Sequence, residues 1–334
     1  MNAFFMSVRH LLQTIGILVI DAGMVAASYF SLFYLPQASM LLMLFGMPLI
    51  AFVNSYFFTM IFKKYIPKED EDKVHSDSTP MLGEEDEAMK KAIEKAKKTG
   101  VGIVSVRESN HFGIAGFYAK MACDQGLIGM ACTNSEAIMV PTFGKKAMLG
   151  SNPIAVAMPA DPYPFFFDCS TTVVTRGKLE MYNKMEKPLP DGWALDKDGH
   201  ASTDAPDVLA NIVAKKGGGI MPLGGSEEVT GSHKGYGYGM LCELFSSILP
   251  MGVTSDSCCT FPDKTGICHG FMAIDPAAFG DPAAIRKHFS DYLEALRESP
   301  RAEGKDRIYT HGEKEVFAEK ERRENGIPVN DNTM

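Results

Sequence analysis

No pair of cysteines in this sequence is spaced CxxC, no basic stripe runs along any segment, and the first 62 residues carry almost no charge. Each absence excludes something. With a net charge of −8 and no basic stripe, nothing is available to neutralise phosphates along a nucleic acid, so no nucleic-acid partner is expected. The seven cysteines (Cys123, Cys132, Cys169, Cys242, Cys258, Cys259, Cys268) are odd in number and irregularly spaced. They read as reduced thiols of a cytosolic compartment rather than a disulfide framework. Cys258-Cys259 with Cys268-His269 lack the ligand spacing of a zinc site, and no metal is expected. A dinucleotide fingerprint of the G-x-G-x-x-G type directly after a strand is also missing, which argues against a Rossmann domain.

What is present divides into two chemically different parts, and 334 residues leave room for roughly two domains. Residues 11–35 contain one charge, Asp21, and residues 40–62 contain none. At about 1.5 Å per residue each run is long enough for a hydrocarbon core of about 30 Å. Pro36-Gln37-Ala38-Ser39 makes the turn between them, and Arg9 and Lys63-Lys64 flank the pair. The expectation is a transmembrane helical hairpin over 1–67 with both ends cytoplasmic, which would make the chain membrane-associated with the lipid bilayer as a partner through 11–62. A buried helical pair is the alternative, and Asp21 is costly at mid-span. An acidic flexible linker is expected over 68–86, where charge is dense and hydrophobicity low. The segment from Pro48-Leu49-Ile50-Ala51-Phe52 to Lys63-Lys64-Tyr65-Ile66-Pro67 resembles the C-terminal end of small bacterial membrane proteins of the domain-of-unknown-function 624 group.

From residue 87 onward apolar runs alternate with helical patterns, which places residues 87–334 in the α/β or α+β class. Ala88, Ala92, Ile93 and Ala96 lie on one face of a helix over 87–99 that Gly100 closes. The run Val101 to Val106 reads as a buried strand, and it empties into Ser109-Asn110-His111-Phe112-Gly113. An imidazole on a turn at a sheet edge is either a satisfied core histidine or a catalytic group. A second helix is expected from Ile114 to Gln125 and a second strand from Leu127 to Thr133. Further on, Gly150-Ser151-Asn152-Pro153-Ile154 opens a strand. Phe165 to Thr172 is a strand ending in one carboxylate and a string of hydroxyls. Gly231 to Gly239 leads into an apolar helix over 240–249. Its glycines and Lys234 suit the approach of a pyrophosphate or carboxylate, or else the block is a flexible loop capping a helix. Asp196-Lys197-Asp198-Gly199 begins like a calcium loop but does not continue as one, and reads as a surface turn.

These blocks, in this order, resemble the type-2 malate/L-lactate dehydrogenase family, which also holds ureidoglycolate dehydrogenase and 2,3-diketo-L-gulonate reductase. The likeness runs from about 88 to about 331 and includes Gly192-Trp193-Ala194 and Gly326-Ile327-Pro328. It implies a non-Rossmann NAD(P)-binding α/β fold built on a large, mainly antiparallel sheet with flanking helices, and a homodimer. It implies NAD or NADP as cofactor and a small 2-hydroxy or 2-oxo acid as substrate. By the same resemblance His111 moves the substrate proton. Ser135, Asp168, Cys169, Ser170, Thr171, Thr172, Val173 and Val174 fall where the family contacts the dinucleotide. His233-Lys234 and Gly312-Glu313-Lys314 match two further cofactor contacts.

The sequence also departs from the family. Members carry an N-terminal helical domain with a Ser-His-Gly motif and an arginine that holds the substrate carboxylate, and Ser-His-Gly occurs nowhere here. The expectation is therefore an NAD(P)-dependent 2-hydroxy-acid oxidoreductase impaired by that loss. The alternative is a catalytically defective, membrane-tethered fusion that at most binds the nucleotide. Arg107 and Arg176 are the substitutes available for the carboxylate.

Overall fold

A computed structural model describes residues 84–328, and in the preceding part only Ala22, Gly23 and Ala26, which it places in helix. The chain divides into two compact units, 1–78 and 79–334, and the elements below belong to the second. Helix α1 (Glu84–Thr99) buries Ala88, Met89, Ala92, Ile93 and Ala96 and turns its lysines outward. It ends where Gly100 adopts φ +89° and donates its N–H to the Ala96 carbonyl at 2.7 Å. The next residues are strand β1 (Val101–Ser109), which lies directly under the helix. A Cβ on Gly102 would sit 1.9 Å from the Ala92 carbonyl oxygen, so only glycine lets α1 approach this closely.

The main sheet is wholly antiparallel. Besides β1 it contains β2 (Ile128–Thr133), β3 (Ile154–Met158), β4 (Phe165–Cys169) and the late strand β8 (Ile267–Ile274), in the order β1-β8-β2-β3-β4. Helix α2 (Ala115–Cys123) joins α1 on one face. Gly129 is to α2 what Gly102 is to α1, since a Cβ there would meet the Ala119 carbonyl oxygen at 2.1 Å. The core between them is made of small residues, Ala119, Ala122, Ala131, Ala155, Ala157 and Ala273, around larger ones that include Met89, Ile93, Tyr118, Leu127 and Phe271. Burying each of the large side chains contributes roughly 1.5–3 kcal/mol, and the alanines contribute by letting the layers close.

A smaller sheet, β6-β5-β7, consists of β5 (Ala194–Leu195), β6 (Ala201–Ser202) and β7 (Gly219–Ile220). It packs with α3 (Arg176–Lys184) and α4 (Ala205–Ala214) around Leu179, Leu189, Val208, Ile212 and Ile220. Between β5 and β6 the Asp196 carboxylate accepts the amides of Asp198 and His200, both at 2.9 Å, which makes this segment a turn. Helix α5 (Ser232–Glu243) runs on into a π turn, Leu244–Ile248, and meets the main sheet on the face opposite α1 and α2. There a Cβ on Gly270 would lie 2.7 Å from the Phe245 carbonyl oxygen. Helices α6 (Pro282–Glu298) and α7 (Glu313–Asn325) complete the described elements.

Three expectations are corrected. The glycine block over 231–239 is not a loop leading to a helix at 240: it is the first part of α5 itself. Gly235 and Gly239 share one helical face, where their missing side chains make room for the Leu223 backbone and for Met139 and Thr171. Close packing overrides the low helix propensity of glycine. The linker expected to reach residue 86 is already helical from Glu84. The membrane association is also corrected. The hairpin over 1–67 and most of the linker lie outside the described residues. Among the described residues no helix is long and apolar enough to cross a membrane. Among the described residues the longest α-helix, α6, has 17 residues and is strongly charged.

Candidate active site

His111 lies in the loop between β1 and α2 and is exposed. Its Nδ1 accepts the Gly113 amide at 3.1 Å, which leaves Nε2 as the nitrogen without a protein partner among the described residues. The loop is held from behind by a second histidine. His269, on β8, is 0% exposed. Its Nε2 lies 2.9 Å from the Asn110 carbonyl, and its Nδ1 lies 2.8 Å from the Thr133 hydroxyl. Its ring stacks on Phe112 with centroids 4.1 Å apart. Glu85, on the first turn of α1, accepts the Ser109 hydroxyl at 2.5 Å and stands 3.9 Å from His269 Nε2.

Burial pushes His269 down to about 4, against the opposite pull of Glu85 and the Asn110 carbonyl, and His111 adds a smaller push in the same direction as burial. The ring is therefore neutral. A carbonyl can only accept, so the single ring proton is on Nε2, and Nδ1 faces the Thr133 hydroxyl, which also lies 2.8 Å from the Asn134 carbonyl and 2.9 Å from the Cys268 carbonyl. This has a consequence for stability. Between the unfolded value of about 6.5 and the folded value, the unfolded chain binds the extra proton, so stability from this group is full above about pH 6.5 and falls as the pH is lowered. The loss approaches about 3 kcal/mol at the acid end of that window. Urea unfolding between about pH 7 and about pH 4.5 should show this slope in the wild type and lose most of it in His269→Gln. An unchanged slope would contradict the assignment.

Asp168, at the end of β4, reaches the other side of the same loop. Its Oδ2 accepts the Gly116 amide at 2.7 Å, capping the N-terminus of α2, whose own N-cap residue, Ile114, has no side chain able to do so. Loss of solvent against α2 raises the Asp168 carboxyl above its ordinary range, and the Gly116 bond pulls the other way. Gly116 is again obligatory, since a Cβ would meet Phe166 and this carboxylate at 2.5 and 2.7 Å.

Ser135 and the residues that follow Asp168 form a second cluster. Ser135 Oγ accepts the Ser151 amide at 3.1 Å. Thr171 is buried and donates its hydroxyl to the Ser151 carbonyl at 3.0 Å, while Thr172 donates to the Val174 carbonyl at 2.7 Å. Val173 donates its amide to Met221, and Cys169 and Ser170 are half-buried. The threonine hydroxyls thus serve the scaffold. Beneath this cluster lies Glu243, a buried carboxylate on α5. It accepts from Asn152 Nδ2 (2.8 Å), Ser255 N (2.8 Å), Ser255 Oγ (2.7 Å) and Ser247 Oγ (2.9 Å), with Asn134 Nδ2 at 3.4 Å.

His233 and Lys234 are exposed on the first turn of α5, behind Gly231 at φ +89°. The Lys234 stem lies back over Gly231, and it forms no ion pair among the described residues. At the C-terminal end, Gly312 packs against Pro164 and Phe166 of the β4 edge, where a Cβ would find no room. Glu313 is fully buried, paired with Arg307 and accepting the Thr310 amide, and Lys314 lies 4.7 Å over the Tyr309 ring. Both arginines considered for a substrate carboxylate have protein partners. Arg107 donates to the Pro250 carbonyl, and Arg176 pairs with Glu136 and Glu180.

Comparison with known proteins decides the relationship. A sequence profile described as malate/L-lactate dehydrogenase matches residues 79–334. The chain belongs to the malate/L-lactate dehydrogenase family. A malate dehydrogenase of Pyrococcus horikoshii is 41% identical over 243 residues, 72% of this chain and 66% of that protein. An L-sulfolactate dehydrogenase of Methanocaldococcus jannaschii is 36% identical over 247 residues, 73% and 67% respectively. Among solved structures, malate dehydrogenase from Entamoeba histolytica superposes with a TM-score of 0.70 at 39% identity, covering 74% of this chain and 69% of that one. The chain thus spans about two thirds of the length of the family members it matches. With dehydrogenases as relatives, and no membrane-crossing helix among the described residues, the expected membrane association is not carried further.

His269, Glu243, Asn134 and Asn152 are buried polar residues beside these groups that the sequence did not mark. Asn152 stands inside a block whose glycine drew attention, and His269 was weighed only as a metal ligand beside Cys268.

Proposed function

We propose that this chain is an NAD(P)-dependent oxidoreductase that interconverts a small 2-hydroxy acid and its 2-oxo acid, with His111 exchanging the proton at the substrate oxygen. The observation that carries this reading is the setting of His111: an exposed imidazole at the end of a sheet strand, with the residues on either side of it held by His269. Two relatives support the substrate class by their names, malate dehydrogenase and L-sulfolactate dehydrogenase.

The residues fit a dinucleotide in a particular way. Lys234 is an exposed cation with no carboxylate partner among the described residues, at the start of a helix whose N-cap, Gly231, offers no side chain of its own. That suits an anionic phosphate, held by charge and backbone N–H together. When bound, the nicotinamide supplies or takes up the hydride. The chain's own groups do the rest. Lys234, with His233 beside it, anchors the anion. The Ser135, Ser151 and Thr171 cluster shapes the wall. For this exchange the His111 ring carries a proton on Nδ1 in both working forms, so the Gly113 amide is not bonded to Nδ1 then. As the imidazolium it gives its Nε2 proton to the oxygen of the 2-oxo acid during reduction, and as the neutral Nδ1–H ring it takes that proton back on Nε2 during oxidation. Choice between NAD and NADP is open to direct measurement, and one relative, from Chromohalobacter salexigens, is named as NADP(+)-linked.

The test is a panel of 2-oxo acids offered to the purified chain with NADH and with NADPH. Oxidation of one of the two nucleotides with oxaloacetate or sulfopyruvate is expected. Quenching of nucleotide fluorescence with no turnover on any acid would replace this reading by nucleotide binding alone.

A further inference from the structure

We infer that His269 is the positioning residue for His111, acting through the backbone of the loop that carries it. The inference rests on the catalytic reading of His111 given above. His269 holds both sequence neighbours of His111 and is itself fully buried. On the N-terminal side its Nε2–H donates to the Asn110 carbonyl at 2.9 Å. On the C-terminal side its ring stacks on Phe112, with 12° between the planes. Phe112 in turn stacks on Tyr118 of α2, whose hydroxyl donates to the Phe112 carbonyl at 2.8 Å. The grip therefore joins the end of β1 to the first helix behind the loop.

The ring is itself fixed. Its Nδ1 meets the Thr133 hydroxyl at 2.8 Å, and because the Asn110 carbonyl can only accept, the proton of the neutral ring is on the nitrogen that faces Asn110. Phe271 closes the far side, with centroids 6.2 Å apart, and Glu85 from α1 stands 3.9 Å from Nε2 while accepting the Ser109 hydroxyl. β2, β8, α1 and α2 each contribute a side chain, Thr133, Phe271, Glu85 and Tyr118 respectively, that meets this imidazole or the chain on either side of His111. A strand histidine with no exposure is otherwise an expensive choice for a sheet interior, where a phenylalanine would pack as well. Its nitrogens are used for geometry: a misplacement of about 1 Å at a proton donor costs on the order of a hundredfold in rate.

The experiment uses the full chain, with kcat, KM and amide hydrogen exchange of residues 109–114 measured on each variant. His269→Phe keeps the stack and loses the N–H. It should lower kcat by at least about tenfold, leave KM for the 2-oxo acid within about twofold, and accelerate exchange in 109–114 selectively. His269→Gln places an amide N–H near the same carbonyl and should recover most of the lost kcat. Wild-type kcat and exchange in His269→Phe overturn the assignment, and so does a glutamine variant that falls as far as the phenylalanine one. If His269→Phe does not fold, Thr133→Val decides, because it removes the hydroxyl that faces Nδ1 and leaves the ring in place: unchanged kcat and exchange then overturn it. His111→Ala is run alongside. If that variant keeps the wild-type rate, the catalytic reading of His111 fails, and the inference that His269 positions a catalytic group falls with it, even where the exchange shows that His269 holds the loop.

Discussion

His111→Ala is expected to lower reduction of the 2-oxo acid by roughly two to four orders of magnitude, the usual contribution of a positioned general acid. Binding of the nucleotide should be unchanged, because His111 is on the β1–α2 loop and the cation offered to the nucleotide, Lys234, is on α5. The fold should be unchanged as well. His111 is exposed, its one hydrogen bond is to the nearby Gly113 amide, and the loop is held by Asn110 and Phe112 rather than by the histidine itself. A large loss of kcat with unaltered nucleotide quenching and melting therefore separates chemistry from binding and from stability. A loss of less than about threefold would leave the proton to another group, with Asp168 across the loop as the candidate.

The largest effect on stability is expected at Glu243. Leucine at this position would remove the acceptor shared by Asn152, Ser247 and both donors of Ser255, all of them buried. Each stranded donor costs about 1–3 kcal/mol, and removal of a buried charged partner about 3–5 kcal/mol in total, since the costs are not additive. Urea midpoints should fall accordingly. The damage should also spread to the second cluster, because Asn152 sits at φ +35° in the turn that receives the Thr171 and Ser135 contacts. Nucleotide quenching should weaken in parallel. A loss below about 1 kcal/mol would show that the network rearranges around an apolar side chain.

Much of the fold over 84–328 was legible because local patterns and tertiary packing agree there. The apolar face of α1, the left-handed stop at Gly100 and the following strand fall where periodicity puts them. The His111 loop and the Asp168 strand were also legible, as punctuation at strand ends. The glycine block misled because glycine has two uses. At Gly235 and Gly239 it serves helix packing, where a sequence offers only the impression of a flexible loop. The late strand β8 inserts between β1 and β2, and no local signal reports that pairing. For the same reason His269 was invisible: its partners, Thr133 and Asn110, are 136 and 159 residues away along the chain. Glu243 was hidden too, because a glutamate on an apolar helix has no pattern that marks it as the centre of a buried network. The first 83 residues, which carry the long apolar runs, lie almost wholly outside the described residues.

The central claim is hydride transfer to a 2-oxo acid, and isotope transfer tests it most directly. The purified chain is supplied with nicotinamide nucleotide carrying deuterium at C4, in each face-specific form, together with oxaloacetate. The account predicts a 2-hydroxy acid with deuterium at C2 from one of the two forms, and none of this product from His111→Ala in the same time. Nucleotide that binds but leaves no deuterium in any product, with either form and with sulfopyruvate as well, would contradict it.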